Sequence, residues 1–403
     1  MSTAEAEQAL DEALAVYLAE VNSSIGQVKP VPTKRTGHRE YTLNYKHVTD
    51  DLIRMFAIAV GDSNPLWRDP DYASSSPWGG IVAPPLYIYT ATAVTVFPEP
   101  PAIEGFDLFF GGNRVQMHAP IRHGDSITAE DVFNGVENRS KPGRAQRTLI
   151  YTGERRYFNQ NGTPVATLHS TMIGTVFPVG AEVPPMAGGR PLHRYSEAEL
   201  KEIYDHYDDE LAGKLRRGAQ PRFFEDVGEG DDLGLVLKGP LDALDVATFI
   251  GVAGVGIANA DKWEMIRTEL DRSPKDPDTG AYHYQMDWHI VDSSARSVGM
   301  PRAINFGAYI DMKATHLVNN WLGDHGWVRE VETRLPAPMF SGEILRFTGK
   351  VVRTYEEDGA GLAELAITGV EREGVELIKA KVIVQLPHRS NPTEVVDTLN
   401  VRV

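Results

Sequence analysis

The stretch APIRHGD at residues 119–125 recurs as APMFSGE at residues 337–343, with Ala, Pro, an apolar residue, Gly and an acid in register. A second matching pair precedes it in each half of the chain, LIRMFAIAVG at 52–61 and DVATFIGVAG at 245–254. Both members of this pair are short apolar runs closed by glycine. Two matches in the same order indicate an internal duplication, the signature of a repeated structural unit.

Each repeat is followed by an alternation of polar and apolar residues that predicts antiparallel strands. Residues 126–174 and 344–386 alternate in this way and contain the turn sequences NQNGT and EREGV, the pattern of a β-meander. Before each meander lies one long apolar segment rich in small residues, at 84–97 and at 303–323. Such segments are typical of helices packed tightly against a sheet. The sequence therefore predicts an α+β protein in which a short helix, a long helix and a meander occur twice.

Two segments outside the repeats also have helical patterns. Leu10, Leu14 and Val21 fall on one face of residues 3–22, which predicts an amphipathic helix lying on a domain or on a partner subunit. Residues 179–222 are first rich in Pro and Gly and then begin a helix at a capping box of Ser and Glu. This second segment is predicted to be a linker.

The repeated order of elements resembles the hot-dog fold of the MaoC-like (R)-specific enoyl-CoA hydratases and acyl dehydratases, in their two-domain form. The resemblance implies a double hot-dog, in which two antiparallel sheets each wrap a long central helix. It divides the chain into an N-terminal helix at 1–26, a first hot-dog domain at 27–178, a linker at 179–222 and a second hot-dog domain at 223–403.

Composition excludes several classes of protein. The formal net charge of −16 and the isoelectric point near 5.2 disfavour a nucleic-acid partner, which needs clustered Lys and Arg. The chain has no cysteine, so disulfides, thiolate metal sites and a cysteine nucleophile are excluded. The N-terminal stretch is acidic and has no continuous apolar run, which argues against a signal peptide or a membrane span. We therefore expect a cytoplasmic protein with no membrane partner.

The first half keeps only part of the MaoC-like signature, which runs Asp-x-Asn-Pro-x-His-x-Asp and continues to a glycine that opens the central helix. The signature residues it retains are Asp62, Asn64, Pro65, Asp69 and Ala73. Trp67 replaces the histidine, and Pro84 stands where the family has its glycine. A proline has no backbone N–H to donate to a thioester oxygen. The resemblance therefore implies a degenerate, non-catalytic half that shapes the acyl pocket.

The second half shows the complementary pattern. His289 precedes Ala295 and Gly299 at the spacing that the family shows after its catalytic histidine. Ile304 and Gly307 then fill the turn that opens the central helix. The resemblance implies that His289 transfers protons and that the backbone N–H of Gly307 binds the thioester oxygen.

Hydration of an α,β-unsaturated thioester needs a base, an acid and a donor to the carbonyl oxygen. A histidine with a carboxylate partner meets the first two needs near neutral pH. No Asp-x-Asn-Pro precedes His289, so its partner stays open, with Asp287 and Asp292 nearest in sequence and Asp62 a distant third. Taken singly, these acids could equally be capping or turn residues, His289 could be a structural histidine, and Gly307 could merely permit close packing.

We predict substrate contacts from a further set of residues: Asp62, Asn64, Trp67, Trp288 and Asn305. The resemblance implies an acyl-CoA thioester as substrate, with coenzyme A part of that substrate and no separate cofactor, and a homodimer of the double hot-dog. His283 and His289 do not fit common zinc spacings, so no metal is expected. Two alternatives stay open: thioester hydrolysis, and a non-catalytic acyl-CoA-binding subunit of a hetero-oligomeric dehydratase.

Overall fold

A computed structural model describes residues 3–32, 44–92, 94–96, 101, 103, 105–181, 189–254, 259–267, 270, 275–297 and 299–400. Its helices are α1 (Thr3–Asn22), α2 (Asp50–Val60), α3 (Pro70–Ser75), α4 (Glu197–Leu211), α5 (Ala243–Ala253), α6 (Asn259–Arg267), α7 (Asp292–Ser297), α8 (Gly307–Leu322) and α9 (Glu394–Asn400). Its strands are β1 (Val28–Pro30), β2 (Asp107–Met117), β3 (Thr128–Asn138), β4 (Arg147–Phe158), β5 (Pro164–Val176), β6 (Asp232–Lys238), β7 (Trp327–Arg334), β8 (Leu345–Glu357), β9 (Ala360–Val370) and β10 (Glu376–Leu386).

Within the described residues the strands form one ten-stranded sheet in the order β1-β3-β4-β5-β2-β7-β10-β9-β8-β6. Read from its two ends, the order is the same in both halves, with β1 equivalent to β6 and β2 equivalent to β7. The halves join where β2 pairs antiparallel with β7, at Arg114–Gln116 against Glu330–Glu332. The α+β double hot-dog is confirmed, with the correction that the two predicted sheets are continuous. The predicted domain boundaries stay a prediction.

The short apolar helices α2 and α5 begin and end in the same way. Thr49 and Asp242 cap their N-termini with side-chain oxygens, as residues of this type commonly do. Gly61 and Gly254 end them with φ of 74° and 68°, in the left-handed region that glycine enters at little steric penalty. Both predicted short helices are confirmed, and the duplication extends to their caps.

Equivalent positions continue after these helices. A 3₁₀ turn and a short helix follow in each half, first Pro65–Trp67 with α3 and later Gln285–His289 with α7. An isolated bridge then joins each half to its copy of the first repeat, Val82 to Arg122 and Ile304 to Phe340. The tryptophan and the histidine that end the two 3₁₀ turns therefore occupy equivalent places.

Helix α8 is the buried centre of the second half. Every residue from Ala308 to Leu322 is buried, and the helix packs on β2, β6, β8 and β10. A helix that is buried on all sides is typical of the core of a large domain. The predicted central helix at 303–323 is confirmed, although it begins at Gly307 because Phe306 has an extended backbone, with φ −63° and ψ 132°.

The prediction of a central helix at 84–97 in the first half is wrong. In its place the chain forms the 3₁₀ turn Tyr87–Thr90, after Leu86 in the left-handed region at φ 64°; residues 93 and 97 lie outside the described part. Pro84 and Pro85 precede the turn, and β-branched Thr and Val residues follow it, which lowers the helix propensity of the segment. The apolar composition here reflects burial and not a helical conformation.

Helix α1 packs on one face of the sheet in the first half. Buried side chains alternate along β4 and so share one face of the sheet. On that face, Leu149 and Tyr151 pack with Leu10 and Leu14 of α1, whereas Tyr157 belongs to the main core. The prediction that the N-terminal helix docks on a domain is confirmed.

The docking of α1 can be tested by truncating its most buried side chain. Leu14 is 0% exposed, and we expect Leu14→Ala to lower the free energy of unfolding by about 2–5 kcal/mol. Val16 on the same helix is 70% exposed, and Val16→Ala should change stability by less than about 0.5 kcal/mol. Urea denaturation of the two variants measures the difference, and equal stabilities would show that α1 does not pack in solution.

The linker helix α4 begins at its predicted capping box. The Glu199 amide donates to Ser196 Oγ at 3.3 Å, and the Ser196 amide donates to Glu199 Oε2 at 2.8 Å. Two of the free amides at the helix start are thereby satisfied. The other end of α4 carries Glu210, a buried carboxylate.

Candidate active site

His289 ends the 3₁₀ turn Gln285–His289, and its ring is held by a backbone contact. Nδ1 lies 2.8 Å from the carbonyl oxygen of Ile304. Because a carbonyl oxygen only accepts, Nδ1 carries the proton, and the neutral ring keeps its lone pair on Nε2. Within the described residues no hydrogen bond involves Nε2. The ring is thus fixed in a tautomer that can take a proton at Nε2.

Aromatic side chains surround the ring of His289. Phe306 stacks on it with 3.6 Å between ring centroids, and Trp288 meets it edge-on at 5.9 Å. Burial lowers the pKa of His289 to about 4, although the hydrogen bond to Ile304 opposes this shift. The ring is therefore neutral near pH 7, the state that a general base requires.

The low pKa of His289 has a measurable consequence. If the ring is the base, kcat/KM should fall only as the pH approaches about 4, well below the usual histidine value of 6.5. Because the folded pKa is the lower one, the stability that the neutral ring contributes is complete above pH 6.5 and is lost as the pH falls toward 4. An NMR titration of the ring, assigned with His289→Gln, gives the midpoint directly. A midpoint near 6.5 would contradict this environment.

Gly307 opens α8 next to the stacked rings. The Phe306 carbonyl accepts from the amides of Tyr309 and Ile310, but the Gly307 amide has no acceptor within the described residues. A free amide at a helix N-terminus, aided by the helix dipole, attracts a developing negative charge. A Cβ at this position would lie 2.3 Å from Cδ1 of Phe110, so the close packing by the first half also requires glycine. The donor and the close-packing roles coexist at this residue.

Trp288 and Asn305, which adjoin His289 and Ile304 in the sequence, each carry a buried polar atom that no other described residue hydrogen-bonds. Trp288 Nε1 and Asn305 Oδ1 form no hydrogen bond in the described part of the chain. The Asn305 backbone is held by its amide, which donates to the Met339 oxygen at 2.8 Å. Unpaired buried polar atoms are rare in folded proteins, and one donor and one acceptor suit a polar ligand. That Trp288 and Asn305 contact the substrate stays a prediction.

Asp287 and Asp292, the expected acidic partners of His289, are engaged elsewhere. Asp287 Oδ2 accepts from Lys262 Nζ at 2.5 Å. Asp292 Oδ1 accepts from the Ala303 amide at 2.9 Å. Over the described ranges no carboxylate forms a hydrogen bond or an ion pair with His289. The structure therefore corrects the predicted pairing with either acid.

The signature residues of the first half form a closed hydrogen-bond set. Asp62 Oδ1 accepts from the Asn64 amide at 2.9 Å, and Oδ2 accepts from Trp67 Nε1 at 3.1 Å and Asn319 Nδ2 at 2.8 Å. Asn64 in turn caps the 3₁₀ turn Pro65–Trp67. The tryptophan that replaces the histidine of the signature thus holds Asp62 in place and has no proton to exchange near neutral pH.

This closed set lies far from the N-terminus of α8. Asn319 follows Gly307 by about 18 Å along the helix axis, at a rise of about 1.5 Å per residue, whereas His289 stacks on Phe306 at the start. The predicted pairing of Asp62, the third candidate, with His289 is therefore also corrected. Asp62, Asn64 and Trp67 are all buried, so their predicted contact with the substrate has no support in this geometry.

A buried charged cluster, formed by Asp62, Glu210, Lys238 and His316, joins the first half to α4, β6 and α8. His316 Nε2 lies 3.0 Å from Glu210 Oε1, and His316 Nδ1 lies 2.5 Å from Lys238 Nζ. Lys238 Nζ also donates to the Gly61 oxygen at 2.8 Å. Because an ammonium group only donates, His316 Nδ1 accepts from it and Nε2–H donates to Glu210.

Within the buried charged cluster, Glu210 and Lys238 each favour the ionised form of the other. Burial alone would raise the pKa of Glu210, but hydrogen bonds from His316 and Ser63 and the charge of Lys238 lower it overall. Burial lowers the pKa of Lys238 to about 8, although Glu210 and Asp62 oppose this shift. Three members could each offer a metal ligand atom within 4.8 Å of the others. With Lys238 as the cation and His316 Nε2 protonated, the donor set favours an internal ion network.

Sequence reasoning missed Glu210, Lys238 and His316, because they come from a linker helix, an edge strand and the central helix. One signal was available. Lys313 and His316 interrupt the apolar stretch at 303–323, and a charged residue in a buried helix must find a partner.

Asp311 is a buried acid one turn after Gly307. It is 0% exposed, and burial raises its pKa well above the ordinary value, against hydrogen bonds from Thr333 and Tyr89. The Tyr89 hydroxyl donates to Asp311 Oδ2 at 3.4 Å. An acid kept neutral places no negative charge within a turn of the Gly307 amide, so that amide remains attractive to an anion.

Comparison with known proteins agrees with this architecture. A family model of the FAS1-like dehydratase domain region matches residues 35–168. A UPF0336 protein of Parafrankia sp. (strain EAN1pec) is 30% identical over 105 residues, which are 25% of this chain and 70% of that protein.

Solved structures match over the whole double unit. A MaoC-like dehydratase superposes with a TM-score of 0.58 at 18% identity, covering 91% of this chain and 99% of that one. A double-hotdog-fold protein of Mycobacterium tuberculosis superposes with a TM-score of 0.51 at 15% identity, covering 90% of this chain and 96% of that one. The class that fold and site define is the double hot-dog proteins. The chain belongs to the same family as the UPF0336 proteins. Its residues 35–168 match the FAS1-like dehydratase region, and its fold is that of a MaoC-like dehydratase.

Proposed function

We propose that the protein catalyses the reversible hydration of a trans-2-enoyl-CoA to an (R)-3-hydroxyacyl-CoA. The observation that carries the proposal is His289, a neutral ring with its proton fixed on Nδ1 beside the free Gly307 amide. A base and an anion donor in one place match a reaction that builds negative charge on a thioester oxygen.

One histidine can both remove the proton from C2 and return it to the leaving hydroxyl, so no second acid is needed to form water. In the dehydration direction, His289 Nε2 takes a proton from C2 of the hydroxyacyl thioester while the thioester oxygen accepts a hydrogen bond from Gly307. The electrons of the C2–H bond form the double bond to C3, and the hydroxyl on C3 leaves with the proton returned by His289. Water and the enoyl thioester result, and the ring is neutral again. A donor such as the Gly307 amide typically lowers the barrier by about 3 kcal/mol.

Coenzyme A is part of the proposed substrate, so the mechanism uses no separate cofactor and no metal. The acyl chain would lie against the first half, because Phe110 of β2 packs directly on Gly307. The first half then contributes a wall and no proton-transfer group, as expected from Trp67 and Pro84.

The cellular context is also a proposal. No helix of the described residues combines the length and the hydropathy needed to cross a membrane. We propose a cytoplasmic homodimer of the double hot-dog, since hot-dog domains pair readily, with neither a nucleic-acid nor a membrane partner. Size-exclusion chromatography with light scattering distinguishes the dimer from a monomer.

The function can be tested on the purified protein by the absorbance of the enone thioester. Short, long and ring-bearing trans-2-enoyl-CoAs are supplied, and loss of the enone signal is followed. Release of free thiol from the saturated acyl-CoA is measured in parallel, because thioester hydrolysis is the rival reaction. Enone loss without thiol release supports hydration, and thiol release alone would replace it with hydrolysis.

One observation favours a second candidate function. Within the described residues no carboxylate is hydrogen-bonded to His289, whereas the proposed chemistry commonly uses an acid and base together. This favours a non-catalytic acyl-thioester-binding subunit of a larger dehydratase. Binding of enoyl-CoA with no turnover of any substrate would support that alternative.

A further inference from the structure

The second half has 30 residues between Gly254 and the turn Gln285–His289, where the first half has three between Gly61 and Pro65. A chain of polar contacts crosses this insertion and reaches the turn that ends at His289. Lys262 Nζ lies 2.5 Å from Asp287 Oδ2, and His283 Nδ1 lies 3.4 Å from the same oxygen. On the other side of its ring, His283 Nε2 lies 3.1 Å from Asp276 Oδ2, which also accepts from Ser293 Oγ at 2.6 Å. We call these five residues the insertion chain. It links α6, the 3₁₀ turn Gln285–His289 and α7.

His283 bridges the two acids of the insertion chain. Its ring nitrogens face carboxylate oxygens of Asp276 and Asp287, and Lys262 Nζ donates to Asp287 as well. Since His283 and Asp276 are each 8% exposed, water competes little for these contacts.

One end of the insertion chain fixes the turn that presents His289. Asp287 Oδ2 accepts from the Tyr284 amide at 3.0 Å, which holds the first residues of the turn. The Asp287 backbone oxygen accepts from the amides of Ile290 and Val291, which follow His289 directly. A shift of Asp287 must therefore move His289.

The far side of His289 is tied to the segment before α8. Asp292 Oδ1 accepts from the Ala303 amide at 2.9 Å, and the Trp288 oxygen accepts from the Ile304 amide at 3.3 Å. Ile304 is also the residue whose carbonyl fixes the tautomer of His289. The tautomer of His289 depends on the distance between its Nδ1 and the Ile304 carbonyl oxygen. The insertion chain holds the His289 end of this contact.

We propose that Lys262, Asp287 and His283 are positioning residues, which keep His289 Nδ1 on the Ile304 carbonyl and so leave Nε2 as the basic atom. They replace, in the second half, the Asp62 and Asn64 contacts that hold Trp67 in the first half. The inference rests on the proposed function, because it concerns the residue that acts as base there.

The test uses the full chain with Lys262→Met, Asp287→Asn and Lys262→Arg. Nitrogen-15 NMR of the His289 ring reports which nitrogen carries the proton, whether or not the protein turns over a substrate. In Lys262→Met and Asp287→Asn the ring should change from the single Nδ1–H tautomer to a mixture. The corresponding kcat should fall by about 10²-fold with little change in KM, the effect of a misplaced catalytic group. Lys262→Arg keeps the charge and should restore both readouts.

Lys275→Met is the matched control. Lys275 belongs to the same insertion but lies over the Tyr282 ring at 4.8 Å, outside the insertion chain. In Lys275→Met, the tautomer signal of His289 and the kcat should match those of the wild type. An unchanged His289 signal in both Lys262→Met and Asp287→Asn would overturn the inference. If the signal changes as expected while wild type turns over no enoyl thioester, the positioning role stands and only the proposed hydration fails.

Discussion

Replacing His289 with glutamine is expected to lower kcat for enoyl-CoA hydration by about 10²–10⁴-fold, the usual contribution of a positioned general base. The glutamine amide fills a similar space and can still donate to the Ile304 carbonyl, but it offers no basic nitrogen. KM should change little, because proton transfer is an interaction made in the transition state. The absorbance assay of the enone thioester measures both constants.

The control for this variant is an exposed histidine of the first half. The His123 side chain is 63% exposed, and His123→Gln should retain wild-type kcat and KM. Full activity in His289→Gln would remove His289 from the chemistry. If wild type is itself inactive but binds enoyl-CoA, the protein is a binding subunit, and His289→Gln should then leave the affinity unchanged.

Breaking the buried charged cluster at Lys238 is expected to destabilise the fold by about 3–5 kcal/mol, as removal of one partner from a buried ion pair typically does. Lys238→Met fills similar volume, but it leaves the carboxylates of Glu210 and Asp62 without their cation. It also removes the donor to the Gly61 oxygen, at the point where α2 ends. The midpoint of urea unfolding should therefore fall sharply.

A double-mutant cycle separates the charge effect from lost packing. Glu210→Gln removes the negative partner, and Lys238→Met combined with Glu210→Gln should be less destabilised than the two single changes added together, by about 0.5–3 kcal/mol. Lys201→Met is the matched control at an exposed pair with Asp205, where the change should stay within about 1 kcal/mol. Strict additivity of Lys238→Met and Glu210→Gln would show that the cluster carries no coupled charge.

Much of the architecture was predictable because its signals are local. The caps of α2 and α5, the capping box of α4, the alternation along the meanders and the repeated APIRHGD and APMFSGE turns lie in short stretches of chain. Each specifies a conformation through its own backbone hydrogen bonds or side-chain spacing. The duplicated order of these stretches then carried the resemblance that implies a double hot-dog.

The helix prediction for residues 84–97 was wrong because its signal was not local. Its apolar composition reports burial, and burial is compatible with a helix or with an irregular chain. Pro84, Pro85 and the β-branched residues that follow reduce helix propensity. The structure instead forms the buried 3₁₀ turn Tyr87–Thr90 within this segment, and α1 packs on the β4 face of the sheet.

The prediction of an acidic partner for His289 was wrong because proximity in sequence does not set the direction of a side chain. Asp287 is two residues away, yet its carboxylate closes onto Lys262 and His283. Asp292 turns to the Ala303 amide. A 3₁₀ turn separates the directions of neighbouring side chains, so the contacts of each acid depend on the elements that pack around the turn.

The residues alone were sufficient for the duplication, for the helix and strand types outside residues 84–97, and for the loss of a histidine at Trp67 and its presence at His289. Each of these is specified by local pattern or residue identity. Tertiary structure decided which atoms meet: Nδ1 of His289 with Ile304, Asp62 with Trp67 and Asn319, and Glu210 with His316 and Lys238. These contacts join segments from different elements of the fold, and their geometry follows from how the two halves pack around α8. Burial then lowers the pKa of His289, an effect that no single stretch of sequence encodes.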